Sequence, residues 1–460
     1  MPQLATTSGA PARTRPARPS ATLAVTGAAT AVALMNYTAP MLTLPDTAAA
    51  FGTPDSARAW LLNGTPLGLA VLLLVAGSLA DAHGRRRVFL LGTLALGVTT
   101  GLGAFAGSTL AFTLARIAQG AASAAVLAGS LGLLADAYPS GRDRIRATGI
   151  WGASVSGGIA LGPLLAGALS LVDWRLAYEA LGLAALVIAA AGARTLAPDT
   201  AKKARRTRPD IPGAVALGLA LAALLTALTL GRDGWLRAPV GLLLLASVAL
   251  AAVFVAVEHR SRTPMIDLAL LRRPAFLAST LGALFTGLAV IGLFSVVPAL
   301  LQSGAGMSPL GAAGLFVLWS GTAFVVALQA RRLAGRLSAA YQLSVGFTLS
   351  AAGVLALLGG LEGPWPRLLP GLLVAGAGSG LLNAALPRLA VDSVPPERAA
   401  MGSGANNTAR YIGSAAGVAL TLALTTAGPD TALLVSAGLA LTGAALTAVL
   451  GRRPERRPRP

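Results

Sequence analysis

Apolar stretches of about twenty residues recur from residue 22 to residue 451 with only short polar breaks, and about twenty apolar residues in a helix is what a bilayer core demands. On that ruler, spans fall near 22–44, 58–80, 87–106, 109–136, 146–170, 176–195, 212–230, 239–257, 276–300, 310–330, 340–360, 367–389, 405–427 and 430–451. A water-soluble chain of this length would carry about a quarter of its residues as Asp, Glu, Lys and Arg. Here charged residues make up 12% and hydrophobic ones 55%. The 55 glycines are first of all packing residues, because small side chains let membrane helices approach closely.

A formal net charge of +19 would point to nucleic acid in a soluble protein. The distribution of the charge excludes that. With the N-terminus placed in the cytoplasm, 29 of the 36 lysines and arginines fall in cytoplasmic segments and 5 in outer loops, while Arg116 and Arg410 lie within spans. The basic residues are dispersed over eight segments rather than gathered in one patch, as the positive-inside rule requires. Both termini are therefore expected in the cytoplasm, with an even number of spans crossing the inner (plasma) membrane. The first 21 residues, rich in Arg, Pro and Ser, read as a disordered basic tail rather than a transit peptide, since the apolar run that follows has the length of a span and no small-residue cleavage pattern. The chain has no cysteine, and His83 and His259 both lie in loops, so no metal site and no bound cofactor are expected.

Four local patterns are more specific than hydropathy. The segment GSLADAHGRRRV, residues 77–88, joins two spans. Gly77 and Gly84 permit a tight turn and close helix approach. Asp81, Arg85 and Arg86 put both signs of charge at the membrane edge, which the positive-inside rule alone does not explain. The segment LARIAQG, residues 114–120, buries Arg116 in an apolar helix. An Arg at a helix centre costs about 2.5–3.5 kcal/mol on insertion scales, so it faces a cavity or a partner unless it snorkels to an interface. The segment GIWGASVSGGIALGPLLAG, residues 149–167, lines one helix with Gly149, Gly158, Gly162, Pro163 and Gly167. Its proline removes a helical hydrogen bond and invites a bend.

These three segments resemble, in order and position, the signature motifs of the major facilitator superfamily, and specifically of its 14-span drug–proton antiporter branch. The only main position of the third motif that departs is Ala166, where the family often has Gly. Later segments agree: DWR at 173–175, EHRSRTPMIDLALLRRPAF at 258–276, and GSGANNTARYIGSAAGVAL at 402–420. The resemblance implies an all-α polytopic fold of two pseudo-symmetric six-helix bundles, residues 22–195 and 276–451, with an inserted helix pair at 212–257. A cytoplasmic loop at 196–211 and an amphipathic connector at 258–275 would link these parts, and 452–460 would form a second basic tail. RRLAGRLSAAYQL at 331–343 weakly echoes the 77–88 loop, as a repeat relating the halves would.

The fourth pattern, LMNYTAPMLTLP at 34–45, resembles the first-span motif of that branch, where an Asp is common. Here the position is Asn36, which cannot titrate. Glu179 is the carboxylate placed well within a span. An intramembrane carboxylate is by default a functional candidate, although Arg175, one helical turn earlier, offers an interfacial ion pair instead. Asn383, Asn406 and Asn407 are candidates for lining a substrate path, or equally for hydrogen bonds between helices.

The implied function is secondary active export of hydrophobic or amphipathic drug-like compounds, driven by proton antiport and alternating access. Arg116, Glu179 and Asn36 would handle the proton and line the cavity, and the 77–86 residues would latch one state. The partners are the bilayer, the substrate and protons, and the resemblance implies a monomer. The alternative on the same fold is a uniporter, or a proton-coupled carrier of a metabolite. An enzyme would need an intramembrane nucleophile–base pair or a metal cluster, and no span holds a His or Cys. A sensor would normally append a soluble domain, and the longest loop has only about 16 residues.

Overall fold

The computed structural model describes residues 19–138, 141–198, 211–231, 236–261, 268–333, 337–394 and 399–451. Residues 1–18 and 452–460 of the predicted tails, most of the 196–211 loop, part of the 258–275 connector and the side chain of Asp81 lie outside the described residues, while residues 19–21, expected in the N-terminal tail, are helical. Among those described, every regular element is helical. The order is α1 (Pro19–Thr38), α2 (Pro40–Ala50), α3 (Arg58–His83), α4 (Arg85–Ala104), α5 (Thr109–Ala137), α6 (Gly141–Leu169), α7 (Arg175–Thr195), α8 (Ile211–Leu230), α9 (Ala238–Arg260), α10 (Pro274–Phe285), α11 (Gly292–Ser303), α12 (Pro309–Leu333), α13 (Ala339–Leu355), α14 (Leu368–Asp392), α15 (Ala399–Leu424) and α16 (Pro429–Gly451). Nine helices among the described residues are long and apolar enough to cross a membrane, with α10 and α11 counted as one continuous rod.

Local chemistry explains the breaks. Pro40 has no amide hydrogen to give the Asn36 carbonyl, and α1 passes into α2 at this point. Gly84, with φ of 100°, separates α3 from α4 in a conformation that L side chains rarely adopt. Between α10 and α11 the rod widens into a π segment, Thr286–Ile291. There α15 comes so close that a Cβ on Gly287 or Gly292 would collide with the backbone around Gly413 or Gly417. Single-turn π insertions of this kind often mark functional positions.

Helices α1–α7 pack mainly on one another, and so do α10–α16. Helices α8 and α9 pack as a pair, with α8 resting on α3 and α15. Small residues set the closest crossings. A Cβ on Gly68 or Gly120 would strike the facing backbone where α3 crosses α5, and one on Gly158 or Gly162 would strike α1.

The two groups of helices meet through α3–α15, α6–α12 and α2–α11. These contacts gather at the end of the helices away from the 84–88 turn. Asn63 donates to the Ala415 carbonyl at 2.9 Å, and Gln302 donates to the Leu42 carbonyl at 3.0 Å. Leu44, Leu61 and Leu62 pack with Val296, Ala299, Val418 and Leu422 as one buried cluster. Gly167 abuts Pro309 and Ala313. At the basic end, where Arg85, Arg86 and Arg87 lie, the two groups separate around a cavity of about 1110 Å³.

Candidate functional site: a cavity between two groups of helices

A central cavity of about 850 Å³ lies between the groups, on the basic side of that apolar seal. Its walls come from α1, α2 and α6 on one side and from α10–α11, α12, α14 and α15 on the other. Two aromatic clusters face it. Phe294 and Trp319 stack with ring centres 4.3 Å apart and planes within 8°, and Phe316 sits edge-on to Trp319. Tyr37 and Tyr411 meet edge-on at 5.8 Å, and the Tyr37 hydroxyl shares a hydrogen bond of 2.9 Å with Ser414 across the two groups. Arg410 also lines the cavity. Its Nη2 donates to Asn407 Oδ1 at 2.9 Å and its guanidinium carbon lies 5.3 Å from the Tyr411 ring centre.

Three prolines follow lining residues by four positions: Pro163 after Ile159, Pro298 after Phe294, and Pro387 after Asn383. Each removes the amide that would otherwise bond a carbonyl of the cavity wall. Helix α6 runs through Pro163 without interruption.

The predicted residues sort into distinct places. Arg116 is fully buried and does not line the central cavity; it neither snorkels to an interface nor faces this void. Its Nη1 bonds Gln119 Oε1, its guanidinium carbon lies 5.8 Å from the Tyr178 ring centre, and its Nε and Nη2 are buried without hydrogen-bond partners. Asn36 is equally buried, accepting from Thr100 Oγ1 at 3.2 Å. Gln119 donates to the Thr99 carbonyl, so Asn36 and Arg116 belong to one polar layer across α1, α4 and α5. Tyr178 continues it to Thr43 through a hydroxyl–hydroxyl bond of 2.8 Å.

Glu179 is half-buried on the flank of α7. Among the described residues no hydrogen bond or ion pair reaches it. Arg175, the alternative partner, instead approaches Asp173 at 3.9 Å and stacks 4.5 Å from Trp174. Asn383 lines the central cavity. Asn407 lines the basic-end cavity and orients Arg410, donating its own amide to the Ser403 carbonyl. Asn406 is buried and bonds Ser279, at both its carbonyl and its hydroxyl, which makes it a tie between helices.

In the 77–88 segment, Arg85 donates to the Gly132 carbonyl at 3.0 Å and to Asp136 at 2.8 Å. Arg86 donates to the Ala193 carbonyl at 2.8 Å. These bonds stay within α1–α7, while Gly77 and Arg85 face the basic-end cavity. In the 149–167 segment, Gly158 and Gly162 make the α1 crossing and Gly167 the contact with α12. Gly149 lies on the same helix and is half-buried.

A family profile described as Major Facilitator Superfamily matches residues 26–418. The chain belongs to the major facilitator superfamily. Among its relatives, the multidrug resistance protein Stp of Mycobacterium tuberculosis (strain CDC 1551 / Oshkosh) is 32% identical over 406 residues, covering 87% of this chain and 74% of that protein. The puromycin resistance protein pur8 of Streptomyces alboniger is 32% identical over 405 residues, covering 86% and 80%. The crystal structure of an auto-inhibited POT family peptide transporter superposes with a TM-score of 0.68 at 15% identity, covering 95% of this chain and 99% of that one. Family membership makes the protein a multi-pass membrane transporter rather than an enzyme. The superfamily resemblance seen in the 77–88, 114–120 and 149–167 motifs therefore holds across the chain.

Arg410, Tyr37, Tyr411, Phe294 and Trp319 were not among the residues singled out from sequence. Arg410 carried a legible signal, being an intramembrane cation like Arg116. The four aromatics carried none, because a lone aromatic in an apolar span looks the same whether it faces a cavity, a helix or lipid.

Proposed function

We propose that the protein is a secondary active exporter of hydrophobic or amphipathic drug-like compounds, working by alternating access with protons as counter-substrate. The observation that carries this reading is the central cavity, sealed by the Leu44–Val296–Val418 cluster and adjoining a second cavity toward the basic end. The resistance functions in the names of the relatives support the direction and the substrate class. In this reading the basic end faces the cytoplasm of a plasma-membrane protein, with both termini on that side, and the state described is the one that loads solute from within. A shallow funnel of about 1230 Å³ beyond the seal, lined by Ala48, Val296 and Ala299, becomes the exit.

The span count that fits is fourteen. Helices α1–α2 and α10–α11 each count as one span, and α8–α9 is the hairpin inserted between residues 22–195 and 276–451. The protein works as a monomer without a bound cofactor. Gly77, Asp81, Gly84, Arg85 and Arg86 act as the latch when the basic end closes. Glu179, next to Tyr178 and so to the Arg116 layer, carries the coupling proton.

The second reading is uniport on the same architecture. It is favoured by one observation: among the described residues no carboxylate lines the central cavity.

Everted vesicles containing the protein test both. Under an imposed proton gradient, an exported aromatic dye accumulates inside and its accumulation collapses with an uncoupler. Glu179→Gln stops gradient-driven accumulation but leaves downhill exchange. Uptake that only equilibrates the dye, at the same level with and without the gradient, would establish uniport instead.

A further inference from the structure

The charge balance of the cavity narrows the substrate class, within the exporter reading just given. Arg410 stands where the central and basic-end cavities join, lining both. Among the described residues it has one neutral hydrogen-bond partner, Asn407, and one stacked aromatic neighbour, Tyr411, and its Nε is buried without a partner. The second intramembrane cation, Arg116, lies behind the wall and is likewise held only by an amide and a Tyr ring. Among the described residues no carboxylate lines either cavity.

A guanidinium in a low-dielectric site that no acid neutralises is costly, and an arriving anion offsets that cost. The planar fork of Arg suits a carboxylate or sulfonate, which it can bond through two parallel N–H groups. Along this path a cationic solute would meet Arg85, which pairs with Asp136, and then Arg410, with Arg116 behind the wall, and among the described residues it would meet no carboxylate lining either cavity. The stacked Phe294–Trp319 pair and the Tyr37–Tyr411 pair offer faces and edges to an aromatic ring.

We infer that the preferred cargo is an aromatic organic anion, with Arg410 as the residue that receives its acidic group and the Phe294–Trp319 stack as the surface that receives its ring. Asn407 is the positioning residue that holds the guanidinium toward the void. Because Arg410 also faces the basic-end cavity, an entering anion meets it before it reaches the aromatic wall.

The test compares two dyes that differ by one sulfonate, anilinonaphthalene sulfonate and N-phenylnaphthylamine, by energy transfer from tryptophan in the full chain held in nanodiscs of zwitterionic lipid. The wild type binds the sulfonate at least about tenfold more tightly than the neutral dye. Arg410→Gln removes that preference, lowering sulfonate affinity about tenfold while neutral-dye affinity stays within about twofold, and Arg410→Lys retains part of it. Retained neutral-dye binding reports that the variant is folded, and Arg410→Lys carries the comparison if Arg410→Gln does not fold. Trp319→Ala weakens both dyes alike, which places them in this cavity.

Equal wild-type affinity for the two dyes, or an equal loss of both in Arg410→Gln and Arg410→Lys, overturns the anion preference and leaves the drug-cavity reading standing. If the wild type binds neither dye, the anion preference and the aromatic drug cavity fall together.

Discussion

The hydroxyl of Tyr37 on α1 and that of Ser414 on α15 share a hydrogen bond of 2.9 Å that crosses from one group of helices to the other. It lies between the central cavity, which Tyr37 lines, and the apolar seal. In the proposed alternating-access cycle, a bond in that place would favour the state in which the basic end is open. Interhelical hydrogen bonds in membranes contribute about 0.6 kcal/mol on average, so Tyr37→Phe should shift the balance toward the other state about threefold. The chain has no cysteine, which makes a single Ala299→Cys, at a buried position of the seal facing the funnel, a clean reporter. Its labelling by a water-soluble maleimide should rise in the Tyr37→Phe background.

Two glycines eight residues or fewer from Pro163 have opposite surroundings. A Cβ on Gly162 would run into Thr38 and the Met35 backbone, while one on Gly157 meets nothing within 4 Å. Gly162→Val should therefore destabilise the protein by about 1–3 kcal/mol, the usual cost of overpacking. Gly157→Ala should leave stability and transport near wild type. Thermal unfolding followed by size-exclusion chromatography distinguishes the two. Equal behaviour would mean that α6 does not cross α1 as described.

Arg116 ties Gln119 and Tyr178 into the polar layer that also holds Asn36. Arg116→Ala strands the Gln119 carbonyl in an apolar interior, at about 1–3 kcal/mol. Lys should not substitute, because an ammonium cannot spread flat beside the Tyr178 ring while bonding Gln119. Both variants should show a lowered melting temperature and lowered transport with normal membrane insertion. A melting temperature unchanged in Arg116→Ala would contradict the described contacts.

The helical architecture was legible because bilayer thickness imposes a length on every span separately. The motif glycines were legible for the same local reason: Gly158 and Gly162 are needed where two backbones nearly touch. The site was harder to read. Arg116 announced itself by cost alone, and cost does not say whether a cation faces a void or is caged by Gln119 and Tyr178. Asn406 and Asn407 are neighbours in sequence, yet one ties α15 to α10 and the other aims Arg410. Only the rotation of α15 separates those roles. The cavity aromatics come from α1, α11, α12 and α15, and their convergence depends on how the two groups of helices meet.

Trp319 gives a further check on where the solute sits. Its ring stacks on Phe294 at the cavity wall, and such pairs contribute about 0.5–1.5 kcal/mol beyond burial. Trp319→Ala should raise the apparent KM for an aromatic solute about tenfold with smaller effect on the maximal rate. Initial rates over a substrate series in proteoliposomes measure both. An unchanged KM would place the solute elsewhere.

In the proposed mechanism the cavity opens alternately to the two ends. Spin labels on Leu131→Cys and Ser403→Cys span the basic-end cavity, and labels on Ala49→Cys and Ser303→Cys span the opposite funnel. Pulsed electron–electron resonance in nanodiscs reads both distances with and without solute. Solute and a lowered pH should change the two distances in opposite senses, the basic-end pair shortening as the funnel pair lengthens. Distances that stay fixed, or that rise and fall together, would contradict it.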